Sequence, residues 1–176
     1  MSWLRRNLAA LLMIVLAIPA LAFVLVGVPL LDDAGRPGIV TVKQGKTIEA
    51  SGYSFTLTAS QEFPGTGTGP GTNSIPLGTS LVGAIFDVEP ATKPIDGSCD
   101  TELTSRAGGV DRAWSTVSSP RDFDYEVGDA RSTNCLLDGE AFELETVFLT
   151  PAGTYDHATI DVTVGAETFR FPLVHE

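Results

Sequence analysis

From Leu8 to Leu31 (LAALLMIVLAIPALAFVLVGVPLL) no side chain is charged, whereas from Ile39 onward apolar and polar residues repeatedly alternate. The first pattern predicts one transmembrane helix, long enough to cross a bilayer core of roughly 30 Å. The second predicts strands. Pro19, Gly27 and Pro29 interrupt the apolar run, which spanning helices tolerate better than soluble ones. Trp3, Arg5 and Arg6 precede it, and Asp32 and Asp33 follow. An aromatic suits the interface, and the positive charges place residues 1–7 in the cytoplasm and the chain beyond the run outside it. A signal peptide is the competing expectation. Ala20-Leu21-Ala22 has the small-x-small form of a cleavage site, and cutting near Ala22 would release a secreted protein. FVLVGVPLL nevertheless continues the apolar run past that point, which favours an uncleaved signal anchor at residues 8–31. Both readings export the rest, and the lack of a cysteine after the run excludes a lipobox.

DDAGRPG, residues 32–38, reads as a linker of turn-forming residues, and 39–176 as one extracytoplasmic domain. Ile39 to Lys43 and Lys46 to Ala50 are short pieces, forming a hairpin or two edges. In Tyr53 to Ala59, Tyr53, Phe55, Leu57 and Ala59 share one face. The glycine-rich run from Pro64 to Asn73 is a loop with no phosphate-cradle ending. Leu81 to Val88 (LVGAIFDV) is apolar on both faces until Asp87, as expected of a strand covered on each side. Cys99 to Arg106 and Arg112 to Trp114 are weaker candidates, with Trp114 expected near the cysteines. Phe142, Leu144, Thr146 and Phe148 point inward, with Glu143 and Glu145 outward. Ala158 to Val164 and Thr168 to Val174 then form a closing hairpin. About seven to eight such strands without a helical period predict an all-β, antiparallel sandwich.

The chain carries a formal charge of −11. Because Arg5 and Arg6 outweigh Asp32, the part beyond the apolar run is more negative still. Such a field repels nucleic acid, which is excluded as a partner. The expected partners are the bilayer, through the apolar segment, and a protein of the cell envelope. Cys99 and Cys135 make an even pair in the exported part, so a disulfide is expected; their wide spacing offers neither a redox motif nor a zinc signature.

Three stretches resemble the telokin-like, immunoglobulin-like domains of exported bacterial proteins: GKTIEASGYSFTLTAS (Gly45 to Ser60), IPLGTSLVGAIFDVEP (Ile75 to Pro90) and VFLTPAGTYDHATIDVTV (Val147 to Val164). The resemblance covers about half of the exported part. It implies an immunoglobulin-like sandwich and an extracytoplasmic place, with no activity or catalytic residue to carry over. The missing lipid-anchor cysteine and the stretch bracketed by Cys99 and Cys135 depart from it.

One run suggests chemistry. Asp122, Asp124, Glu126 and Asp129 are spaced so that their oxygens could gather round calcium. Phe123, Tyr125 and Val127 alternate with them, so the competing expectation is a strand with a wet acidic face. Val127 also stands where a calcium-binding loop of the EF-hand type requires glycine. No serine elbow accompanies His157 or His175, and no cofactor motif is present, so no enzymatic activity is expected. The expectation is a single-pass membrane protein whose exported sandwich binds or scaffolds at the envelope, with calcium binding as the alternative.

Overall fold

The computed structural model describes residue 7 and residues 38–67, 74–107 and 110–173. The expected membrane helix at 8–31 lies outside these residues, as do nearly all of the linker, most of the glycine-rich loop and His175. Among the described residues no helix is long and apolar enough to cross a membrane.

Gly38 to Glu176 form a compact unit of their own. Within it the described residues form eleven strands, more than the sequence predicted. They are β1 (Val40–Thr41), β2 (Ile48–Ala50), β3 (Tyr53–Pro64), β4 (Thr79–Pro90), β5 (Gly97–Ala107) and β6 (Val110–Ser115). The rest are β7 (Arg131–Ser132), β8 (Leu136–Leu137), β9 (Phe142–Pro151), β10 (Ala158–Val164) and β11 (Glu167–Pro172). A front sheet runs β2-β3-β4-β9-β7, and a back sheet runs β1-β11-β10-β5-β6, with β8 added on β5. Most pairs are antiparallel, but the edge pieces β1 and β7 pair in parallel with β11 and β9. The short pieces before Tyr53 are thus edges of two different sheets, and not a hairpin with each other.

Alternation builds the core. Tyr53, Phe55 and Leu57 of β3, Val82, Ala84, Phe86 and Val88 of β4, and Leu144 and Phe148 of β9 face the back sheet. Leu103, Ile160, Val162, Phe169 and Phe171 answer from the other side. Phe86 and Phe171 meet edge to face across the two sheets, with ring centroids 5.2 Å apart. The closing hairpin forms as predicted, Ile160 opposite Phe171 and Val162 opposite Phe169.

Ala59 departs from its predicted face. The β3–β4 register slips between Leu57 and Ala59, so Leu57 sits opposite Phe86 and Ala59 opposite Ile85. The extra residue, Thr58, is a bulge that turns Ala59, Gln61 and Phe63 outward. Cys99 and Cys135 are bonded, with Cα atoms 5.2 Å apart. The bridge anchors β8 against the start of β5 and closes the segment that carries β6 and β7. Closing a loop of this length is worth about 3 to 4 kcal/mol in the chain-entropy model. Trp114 packs on the core opposite Leu103, four residues along β5 from Cys99.

Candidate functional site

The outward face of the front sheet is where the fold departs most from an ordinary strand surface. Leu81, Gly83 and Ile85 of β4 and Glu145 and Val147 of β9 point away from the sandwich interior, yet all but the half-buried Ile85 are buried. Their cover is the segment between β6 and β7. It does not form the predicted strand. Pro120–Phe123 is one turn of 3-10 helix, for which Pro120 at its first position supplies the fixed backbone angle. Asp124 ends the turn in the left-handed region, at φ 59°, and its N–H closes on the Arg121 and Pro120 carbonyls. Asp and Asn tolerate that conformation better than most residues.

The chain then lays Tyr125 on the sheet. Its ring meets Phe63 edge to face at 5.3 Å. Its hydroxyl donates to Glu145 Oε1 at 2.6 Å. The other carboxylate oxygen accepts from the Gly128 N–H at 3.1 Å and from Arg131 Nη1 at 3.2 Å. Arg131 Nε donates to Glu143 at 2.7 Å, so one guanidinium bridges both glutamates of β9. Glu145 is only 3 % exposed, and its charge is held by three donors. A buried carboxylate is tolerated on such terms and hardly otherwise.

Burial, the donated hydrogen bond and the nearby Glu145 charge together push the Tyr125 hydroxyl far above its ordinary pKa, against a lowering influence from Arg131. Its bonds to Glu143 and Glu145 likewise raise that of Arg131. Glycine is required beneath the ring: a Cβ at Gly83 would lie 2.7 Å from the Tyr125 hydroxyl oxygen.

Between this segment and the outer end of β3 runs a groove of about 660 Å³. Gln61, Glu62, Phe63, Asp124, Tyr125 and Glu126 are among the residues that line it. The acids singled out from the sequence fall here in part. Asp122, Asp124, Glu126 and Asp129 are all exposed, while Phe123, Tyr125 and Val127 are half-buried. The in-and-out alternation therefore holds without the strand that was expected to produce it. Among the described residues no three acidic, histidine or cysteine side chains come together to hold a metal ion. His157 is exposed at the end of a short 3-10 turn.

The chain missed by sequence reasoning is Tyr125, Gly128, Arg131 and Glu145. One signal pointed to it: a strand apolar on both faces, with a glycine at its centre, needs cover on its outer side. What supplies that cover is set by tertiary placement.

No family model matches the sequence, nor does any curated protein. Among solved structures, the chain is similar to an uncharacterized β-sandwich protein from Clostridium difficile 630, at 11% identity and a TM-score of 0.45. The match covers 79% of this chain and 97% of the other.

Proposed function

We propose that the protein is a non-enzymatic binding or scaffolding module held at the outer side of a cell membrane by its N-terminal apolar segment. In this reading the domain is immunoglobulin-like, and the segment pinned on the front sheet presents its recognition surface. The observation that carries the proposal is the Cys99–Cys135 disulfide, which closes the stretch containing that segment. Structural disulfides persist in oxidising compartments and are rare in the cytosol. The uncharged run from Leu8 to Leu31, with Arg5 and Arg6 before it, supplies the anchor and the direction. A rigid sheet displaying an irregular segment with half-buried aromatics is a common form of binding surface.

A phosphatase reporter that folds only outside the cytoplasm, fused after Glu176, tests the placement, with thiol trapping of native cells beside it. Reporter activity and a fully oxidised cysteine pair are expected. Activity confined to a cytosolic reporter, or free thiols at Cys99 and Cys135, would overturn the reading.

A further inference from the structure

We propose that the groove beside β3 receives an extended, lysine- or arginine-bearing segment of a partner protein. The inference rests on the binding-module reading and names the chemistry of what is bound.

Three observations meet in this groove. The first is its shape. β2 pairs with β3 only along Tyr53–Phe55, so from Thr56 onward no strand among the described residues lies on that side. The Ser60 carbonyl faces this side, where the Tyr155 hydroxyl donates to it at 2.9 Å. The two-residue repeat of a strand turns the backbone of Glu62 the same way. The outer end of β3 therefore forms one wall of the groove and, beyond the Ser60 carbonyl taken by Tyr155, offers the Glu62 backbone to a chain lying along it. Five consecutive strand residues, 59–63, line it, a length of about 15 Å.

The second is charge. Glu62, Asp124 and Glu126 line the groove, and none of them forms an ion pair among the described residues. The one guanidinium in the lining, that of Arg131, is committed to Glu143 and Glu145. The groove is thus negative within a domain that is itself strongly acidic, and its complement is a basic chain. The carboxylates do not converge as a metal site would require, which points away from a bare cation.

The third is the aromatic wall. Phe63 and Tyr125 are held against each other, and their half-buried rings give lysine and arginine stems an apolar surface. Aromatic faces also attract ammonium and guanidinium groups.

The test uses the full-length chain in nonionic detergent and a short fluorescent peptide of alternating lysine and valine, read by anisotropy. Binding that weakens with salt is expected, together with no binding of the matching glutamate–valine peptide. The combined variant Glu62→Gln, Asp124→Asn, Glu126→Gln should weaken binding roughly tenfold with its melting temperature unchanged, since single contacts of this kind are worth a few-fold each. The combined variant Asp138→Asn, Glu140→Gln, Glu167→Gln removes as much charge elsewhere on the exposed surface and should leave binding within about twofold.

Equal weakening by both variants would show a diffuse field and overturn the proposal, as would failure of the basic peptide to bind. If spermidine bound as tightly as the peptide, the site would take free amines and the extended segment would fall. An envelope partner captured equally well by the groove variant would remove this inference while leaving the module reading in place.

Discussion

Each outer face of the sandwich buries a carboxylate against an arginine, but over different spans of chain. On the back sheet Asp161, 7 % exposed, takes two parallel bonds of 2.7 Å from Arg170, its direct cross-strand neighbour in the β10–β11 hairpin. On the front sheet Glu145 gathers Tyr125, Gly128 and Arg131 from a segment that only tertiary folding brings there. The hairpin already holds Arg170 beside Asp161, so that pair mainly reinforces a register that ten other strand residues also define. Glu145 has only the two-residue β7–β9 pairing behind Arg131, and no strand pairing holds Tyr125 or Gly128. Among the described residues the one side chain of Glu145 ties together sheet, aromatic ring and loop backbone. Similar chemistry therefore decorates one face and shapes the other.

The two carboxylates should differ sharply on deletion. Glu145→Ala leaves the hydroxyl of the half-buried Tyr125, a backbone N–H and one Arg131 N–H without their acceptor, at a cost of about 3 kcal/mol in chemical denaturation. It should also free Tyr125 from Phe63, seen as a gain in tyrosine accessibility. Asp161→Ala should cost only about 1 to 2 kcal/mol, because Arg170 is a third exposed and can turn to water. Equal costs would abolish the distinction drawn between the faces.

The smallest effect at neutral pH is that of Tyr125→Phe, about 1 kcal/mol. Its pH dependence sharpens the comparison. The Tyr125 pKa is raised in the folded protein, so the native state keeps this proton where the unfolded chain has lost it. The corresponding stability is complete below the unfolded pKa near 10 and is lost as pH rises above it. Wild-type stability should fall more steeply above about pH 10 than that of the variant, by up to about 1.4 kcal/mol per pH unit. Parallel alkaline profiles would show that Tyr125 is not buried on the sheet.

Much of the sandwich was legible in the residues, and the reasons are local. Period-two patterns in β3, β9, β10 and β11 faced the core as predicted, because side-chain alternation is a property of any strand. The both-faced apolar run of β4 did announce a covered strand. The cysteine pair was legible from its number alone. What escaped was non-local. Glu145 reads as a wet-face residue, since its position on β9 points outward; only the segment arriving from 120–131 buries it. DFDYEVGD reads as a strand because its alternation is real, while Pro120 and the left-handed Asp124 bend it into a turn and coil. The bulge at Thr58 carries no composition signal, yet it moves Ala59 and Phe63 to the groove side.

The pinning of the segment by Glu145 is tested most directly by the exchange rate of one backbone proton. The Gly128 amide donates to Glu145 and to no strand neighbour, so its protection reports that bond. Hydrogen exchange followed by NMR in the intact protein should find it slowed at least about tenfold relative to an unstructured glycine. In Glu145→Ala that protection should vanish while the amides of β4 and β10 stay protected. A Gly128 amide that exchanges freely in the native protein would contradict the account.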